Sequence, residues 1–512
     1  MARITVGLDF GTHQTKLCIE DKTDVNNPIY SFFPFEDLDG MKNIILPSII
    51  QINKDNTLSY GFVDKEKCKY GKKFFIGCTP KFPQRIKVPE EPILPEPPMP
   101  AILFQNSPSN PEDAVLFRFK LERAKKSYET QLVLWKQRIQ AQNQKHERQV
   151  KEMEKSYQNE LKEWYRWQNS SQTNHRLIYR YFKQSTFSDY KWNCYQSSTY
   201  LSVWYLSFII FNLEAKYGQD FAIQMGIPTG SDNFEYKKQR AVTLLLTAYH
   251  LVEEVFQGDF HKFLATPIHE LESLTTFVQY SSKKKFEYGI LVFPEAYAGL
   301  KSLTSQKKIE SGMSLMVDIG GGTTDITFFT IENEKTKIYD YSSIPFGLNF
   351  IAETANPYLQ DKFESSLNLH DIPSKNLAPA IKQYCVNLSN ACNNLVNRLK
   401  RAFESTGFPV YKLTDALENR TVIYSGGGST YDELRIPVDR FSDIMHINPK
   451  VWEGMTIDEI EKYLPLCPII STSLGLSISE QDDNVDLSTI DDMFKHLEGM
   501  YKVAEKPRPR WV

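Results

Sequence analysis

Leu315-Met-Val-Asp318-Ile-Gly320-Gly321-Gly322-Thr323-Thr324-Asp325-Ile-Thr-Phe-Phe329 reads as a strand ending in aspartate, a glycine-threonine turn and a second strand. The chain opens with the same device, Ile4-Thr-Val-Gly-Leu-Asp9-Phe-Gly11-Thr12-His13-Gln14-Thr15. A third glycine loop follows late in the chain, Val422-Ile-Tyr-Ser425-Gly426-Gly427-Gly428-Ser429-Thr430. Glycine in such a turn lets backbone N–H groups approach an anion, because no Cβ intervenes. Thr12, Thr323 and Thr324 add hydroxyl donors. An aspartate at the strand end repels phosphate but holds magnesium through water, and magnesium bridges phosphate oxygens while keeping several waters. Asp9 and Asp318 on facing hairpins would therefore clamp a metal-triphosphate from both sides. Three such loops in this order predict one nucleotide held between two halves.

These loops resemble the phosphate-1, phosphate-2 and adenosine motifs of the actin and heat-shock-chaperone ATPase superfamily. The D-x-G-G-G-T-x-D form of the second is closest to the nucleotide-binding domain of DnaK-type (seventy-kilodalton heat-shock) chaperones. Between the motifs, Leu46-Pro47-Ser48-Ile49-Ile50 resembles the family's P-S-V-V strand and Phe221–Pro228 its V-T-V-P strand. Phe293-Pro294-Glu295-Ala296 resembles the E-P-x-A-A helix start, and Pro345-Phe-Gly347 the second connecting segment. The resemblance covers nearly the whole chain apart from about residues 80–178. It implies an α/β, two-lobed actin-like ATPase fold built from duplicated ribonuclease H-like lobes. It also implies ATP or ADP with Mg2+ as the bound species.

Carried over residue by residue, the resemblance places Gly11, Thr12, His13 and Gln14 in phosphate-1. It places Gly320, Gly321, Gly322, Thr323, Thr324 and Asp325 in phosphate-2, and Gly426, Gly427, Gly428, Ser429 and Tyr431 in the adenosine loop. Lys400 and Arg401 match basic residues that touch adenosine, whereas Asn397 and Glu404 depart from that helix's pattern. Asp9 and Asp318 are the magnesium residues, through water. Family members use a first-lobe lysine at the γ-phosphate. Lys183, in Tyr179-Arg-Tyr-Phe-Lys183, is preferred because its aromatic flank fits a lobe-closing strand; Lys73 and Lys120 compete for the role. The usual glutamate before proline is Phe293 here, so Glu295 is its replacement. His13 stands where a hydroxyl residue is usual, and Tyr431 where the chaperones carry arginine, with a ring able to stack on adenine. These departures bear on hydrolysis rate more than on nucleotide binding.

With 512 residues the chain is long enough for two cores. A net charge of −3 and a pI near 6.4 give no bias toward nucleic acid or membrane. The seven cysteines contain no C-x-x-C pair, so neither a zinc site nor a disulfide framework is indicated, and a reducing, cytoplasmic location is expected. No signal peptide is read before the first strand. Tyr200–Leu213, the most apolar run, is too short and too polar-aromatic to span a bilayer and reads as a buried core helix.

The expected division is 1–79 and 179–316 for the first lobe, 80–178 for an insertion and 317–512 for the second lobe. From Pro80 to Pro111 the insertion is dense in proline, which favours extended polyproline II. From about Glu112 to Gln168 it has neither Gly nor Pro and is rich in Lys, Glu, Gln and Arg, the composition of a long helix. Tyr128, Ile139, Val150 and Leu161 recur every eleven residues, with Leu132, Trp135, Met153, Tyr157 and Trp164 on the same stripe. That stripe is narrow, enough for one partner, and His146 on it is a polar layer. One helix of about 80 Å could return along a proline leg of about 100 Å. The alternative is a helical hairpin turning near Gln140–Gln144. Either way the insertion is expected to contact a protein partner or a second copy.

The resemblance ends in Ile469–Leu476, similar to the family's closing helix, and no β-rich substrate-binding domain is read after it. The leading expectation is a slowly hydrolysing, chaperone-like ATP switch, probed by its partner through the insertion. An actin-like filament former and, more remotely, a small-molecule kinase on the same fold are the alternatives.

Overall fold

The computed structural model describes residues 3–72, 110–172, 174–187, 195–228, 234–278, 282–305, 312–332, 335–344, 346–355, 368–405, 422–435, 456–480, 482–483 and 485. The chain divides into two compact units, Met1–Cys78 with Asn174–Val512, and Thr79–Thr173. The first unit is mixed α/β with several sheets.

One sheet runs Leu291–Pro294, Phe221–Ile227, Ile4–Phe10, Gln14–Asp21, Ile29–Phe32, with Ile45–Pro47 also pairing on Gln14–Asp21. Ile4–Phe10 is parallel to Phe221–Ile227 and antiparallel to Gln14–Asp21. All seven residues of Ile4–Phe10 are buried, because helices cover both faces. Strand alternation sends Ile4, Val6, Leu8 and Phe10 into the larger core. There they join Val203, Trp204, Tyr205 and Ile209 of the helix Tyr195–Tyr217. The expected core helix over Tyr200–Leu213 is therefore present, and among the described residues no helix is long and apolar enough to cross a membrane. Tyr205 donates to the carbonyl of Pro47 at 3.0 Å and stacks on Phe10 at 5.8 Å, so this helix braces the strand end that carries Asp9.

A second sheet repeats the pattern. Gly312–Ile319, Thr324–Glu332 and Lys335–Ile344 form an antiparallel meander, and Ile423–Ser425 lies parallel on the other side of Gly312–Ile319. Its own core gathers Leu315, Val317, Ile319, Ile326 and Phe328 against Leu388, Leu395 and Leu399 of the helix Ser374–Ser405.

The helices beneath the two sheets are exchanged relative to the expected boundary at 316/317. The closing helix, Cys467–Ser477, lies under the first sheet. Cys467, Ile470 and Leu474 pack on Cys18, Phe32 and Ile44, and a Cβ on Gly7 would fall 2.1 Å from the carbonyl oxygen of Ser473. Glu295–Ser305 instead packs Ala296, Leu300 and Leu303 on Met316, Phe329, Ile338 and Ile423 of the second sheet. The two helices cross where a Cβ on Gly475 would fall 1.7 Å from the carbonyl oxygen of Ala298. Sequence position alone assigns each helix to the nearer sheet; the small residues Gly7, Gly299 and Gly475 are what permit the crossing.

The insertion boundary also moves. Asn174–Arg176 pairs antiparallel with Tyr70–Lys72, and Ile178–Tyr179 with Ile50–Gln51, so the chain rejoins the first unit at 174 rather than 179. Within the other unit, Pro111–Gln172 is one unbroken helix of 62 residues, about 93 Å long at 1.5 Å per residue. A hairpin at Gln140–Gln144 is thus absent. Pro111 occupies the first turn, where its missing N–H costs nothing, and Asn110 precedes it with its side-chain amide donating to Asp113 at 3.1 Å. Tyr128, Leu132, Trp135, Ile139, His146, Val150, Met153, Tyr157, Leu161 and Trp164 form a half-buried stripe. The proline leg up to residue 109 lies outside the described residues.

Candidate functional site

The two hairpins share one register. Asp9 is paired across its hairpin with Lys16, and Asp318 with Asp325. The seven-residue spacing follows from the tight glycine turns. A Cβ on Gly11 would fall 2.0 Å from the Gln14 carbonyl oxygen, and Gly320 N–H donates to the Thr323 carbonyl at 2.9 Å. Ser48, from the Leu46–Ile50 segment, ties down the first turn by donating to the Gly11 carbonyl at 2.7 Å, with the Thr15 hydroxyl 3.0 Å away. The second turn is held by the start of the helix Leu348–Ala355, where Leu348 and Asn349 N–H groups donate to the carbonyls of Gly320 and Gly321.

Ionisable side chains from both sheets converge here. Lys16 donates to Asp9 at 2.7 Å, both buried. Lys183 forms an ion pair with Glu295 and lies 6.0 Å from the centre of the Phe10 ring. Lys183 is not on a strand as expected: it lies in the first turn of the short helix Phe182–Phe187 and is only 4% exposed. Burial raises the Glu295 carboxyl, Lys183 opposes that, and Asp9 and Asp325 add to it. Burial, then the charges of Glu295, Asp325 and Asp9, push Asp318 up to about 8. Burial also raises Asp325 against a hydrogen bond from Ser343 and the charges of Lys183 and Lys237, and its Oδ1 has no hydrogen-bond partner. Asp9, Glu295, Asp318 and Asp325 thus feel one another inside a single cluster, in which Asp9 is buried and the other three are half-buried.

The third glycine loop abuts that cluster. Gly426 adopts φ +80°, and a Cβ there would fall 2.3 Å from Asp318 Oδ1. Gly428 packs on Ile319, while Gly427 meets only Leu348, at 3.8 Å from its notional Cβ. The Ser429 hydroxyl donates back to the Gly426 carbonyl at 2.8 Å. Tyr431 packs partly into the second core, its hydroxyl accepting from Leu369 N–H at 3.1 Å.

Other expected residues stand differently. The Thr324 hydroxyl donates to the Phe346 carbonyl at 2.7 Å and meets the Tyr384 hydroxyl at 2.7 Å, so it points into the second core and is not a phosphate donor. Thr12, Gln14 and Thr323 are half-buried at the turns. Lys400 is half-buried and Arg401 exposed near the end of Ser374–Ser405, and among the described residues neither is bonded to the cluster. Lys120 is exposed on the long helix, and Lys73 lies outside the described residues.

Sequence reasoning missed Lys16, Ser48, Tyr181 and Gln184. Gln184 lies against the second turn, its Oε1 2.5 Å from where a Cβ on Gly322 would sit. Tyr181 holds φ +62°, uncommon for a non-glycine residue, and its ring lies 5.0 Å from that of His13. The Asp9–Lys16 pairing was readable from the hairpin spacing; the other three depend on distant segments meeting.

Among the described residues no three His, Cys, Asp or Glu side chains are placed to ligate a metal together. The donor set therefore fits magnesium only in its water-rich form, with one or two carboxylates and waters between. The orphaned Asp325 Oδ1 and the glycine cradles suit that fit. No protein-family model matches the chain, and no curated protein matches it.

Proposed function

We propose that this chain has the two-lobed actin-like ATPase fold and acts as a Mg-ATP-binding, slowly hydrolysing, chaperone-like switch in the cytoplasm. The observation that carries the reading is the repeated hairpin, with its charge imbalance. Asp9 faces a lysine, but at the matching position Asp318 faces Asp325, and like charges directly opposite destabilise a strand pair. A largely buried site with four carboxylates and three lysines, Lys16, Lys183 and Lys237, needs further positive charge if all four are to be ionised. Magnesium, when bound, supplies that charge and neutralises phosphate oxygens.

In this reading the backbone N–H groups of the glycine turns cradle phosphates, and Asp9 and Asp318 orient the metal's waters. Lys183, held by Glu295, stands ready to meet the terminal phosphate. Lys16 fixes Asp9. The insertion's long helix is the partner-binding element, for another protein or a second copy. Calorimetric titration with ATP and ADP, with and without magnesium, tests the proposal. Metal-dependent binding of both nucleotides, weakened by Asp9→Asn and by Asp318→Asn, is the expected result. Absence of any nucleotide binding by the wild-type chain in excess magnesium overturns it.

A further inference from the structure

His13 sits where the two glycine turns meet. A Cβ on Gly321 would fall 2.1 Å from its Cδ2 and 2.7 Å from its Nε2, so only glycine at 321 admits the imidazole against the second turn. Nε2 is sealed from solvent and has no hydrogen-bond partner. A buried polar nitrogen left without a partner is costly and calls for an explanation. Four residues surround the ring. Tyr181 packs against it at 5.0 Å from an uncommon backbone conformation, which fixes one face. The Asn349 amide approaches from the helix behind the second turn, and Arg180 and Lys16 set positive charge nearby. Glu353, on that same helix, bears on Tyr181 rather than on the ring itself. Burial holds the imidazole at about 4 against the opposing hydrogen bond of Asn349, and the charges of Arg180 and Lys16 add smaller downward effects. The unliganded ring is therefore neutral at pH 7.

An anion between the turns reverses that balance. Phosphate oxygens would neutralise the field of Arg180 and Lys16 and offer Nε2 an acceptor, and hydrogen bonds to a charged partner are about twice as strong as neutral ones. Resting on the nucleotide reading above, we infer that His13 is a proton-coupled phosphate contact. When a nucleoside di- or triphosphate binds between the turns, the imidazole turns off its seat on Gly321, takes one proton from solvent, and its Nε2–H donates to a phosphate oxygen. Binding is then linked to proton uptake, and affinity falls as pH rises.

Calorimetry of the full chain with Mg-ADP and a non-hydrolysable Mg-ATP analogue, in buffers of differing ionisation enthalpy at fixed pH 6.5 (about the free-histidine value), reads that proton directly. The expected result is net uptake approaching about one proton per site, with affinity weakening about tenfold toward alkaline pH. His13→Gln should still bind, with no uptake and a flat pH profile. Proton NMR of the wild-type histidines gives a reading independent of how the variant folds. One ring, neutral without ligand at pH 6.5, should become imidazolium on saturation. Binding without uptake, uptake that survives in His13→Gln, or an unchanged histidine spectrum overturns the inference and leaves the nucleotide reading standing. Failure of both nucleotides to bind removes the reading and the inference together.

Discussion

Lys16 Nζ lies 2.7 Å from Asp9 Oδ2, directly across the hairpin whose turn is Gly11–His13. Both residues are 7% exposed. The pair sits on the sheet face opposite Val6 and Leu8, the face that the closing helix covers. Removing one partner of such a pair leaves the other charge buried and alone, at a cost of about 3 to 5 kcal/mol. Lys16→Ala should therefore lower stability to urea by about that amount, because Asp9 is left beside Glu295 and Asp318. The double variant Lys16→Met/Asp9→Asn should recover most of the loss while losing magnesium-dependent binding. Equal instability of the single and double variants would show that the pair's charge is not the issue.

Asp318 contributes to the pH dependence of the metal-free protein's stability, in the same direction as Glu295 and Asp325, whose carboxyls burial also raises. The Asp318 carboxyl titrates at about 8 when folded, well above about 3.9 for an unfolded aspartate. Between those values the folded state binds the extra proton, so stability falls as pH rises from about 4 to about 8 and levels off beyond. In chelator, Asp318→Asn should flatten that slope. It should melt close to the wild type at pH 4.5 and above it at pH 8 (pH values placed about either end of that window). Thermal unfolding across this window checks the sign; a wild-type curve rising with pH would contradict it.

Gly475 and Gly427 should respond in opposite ways to alanine. At Gly475 the new methyl would meet the Ala298 backbone at 1.7 Å, where the two crossing helices touch. Backbone cannot step aside as a flexible side chain does, so Gly475→Ala should cost about 3 kcal/mol or more. At Gly427 the nearest atom is 3.8 Å away, in ordinary contact, and stability should change by less than about 0.5 kcal/mol. If the third loop approaches adenosine through its backbone, Gly427→Ala should weaken nucleotide affinity all the same. Denaturant melts paired with nucleotide titration separate the two effects.

What the sequence discloses follows from how local each signal is. The hairpins at Asp9 and Asp318, the core helix around Trp204 and the long helix from Pro111 are written in consecutive residues, through turn glycines, apolar runs and an absence of breakers. Lys183 meeting Glu295 spans 112 positions, and Ser48 reaching Gly11 spans 37, and no local pattern encodes either distance. Threonine after the turn makes Thr324 read as a donor, yet the strand's alternation turns its hydroxyl to Phe346 and Tyr384. The helix Cys467–Ser477 lies in the second-lobe range of the sequence, yet it packs under the first sheet. Chain order favours the nearer sheet, while the small residues Gly7 and Gly475 favour the crossing.

The insertion should be removable without harm to the site. Lys72 and Asn174 are direct partners on antiparallel strands, so the ends of the excised segment already face each other as the two sides of a hairpin do. Replacing residues 73–173 with a short Asn-Gly or Gly/Ser turn joins them in the geometry that two-residue hairpins favour. The shortened chain should melt cooperatively and keep metal-dependent nucleotide binding. The long helix, with only a half-buried stripe, lacks the two-sided burial that would make it part of a core. Association with a partner, or self-association read by sedimentation, should be lost with it. In the full chain, Leu132→Gln, Ile139→Gln and Val150→Gln together should abolish that association and leave nucleotide affinity within about twofold, a change of about 0.4 kcal/mol. Aggregation of the shortened chain, or loss of its nucleotide binding, would mean that residues 73–173 belong to the folded core and are not a separable arm.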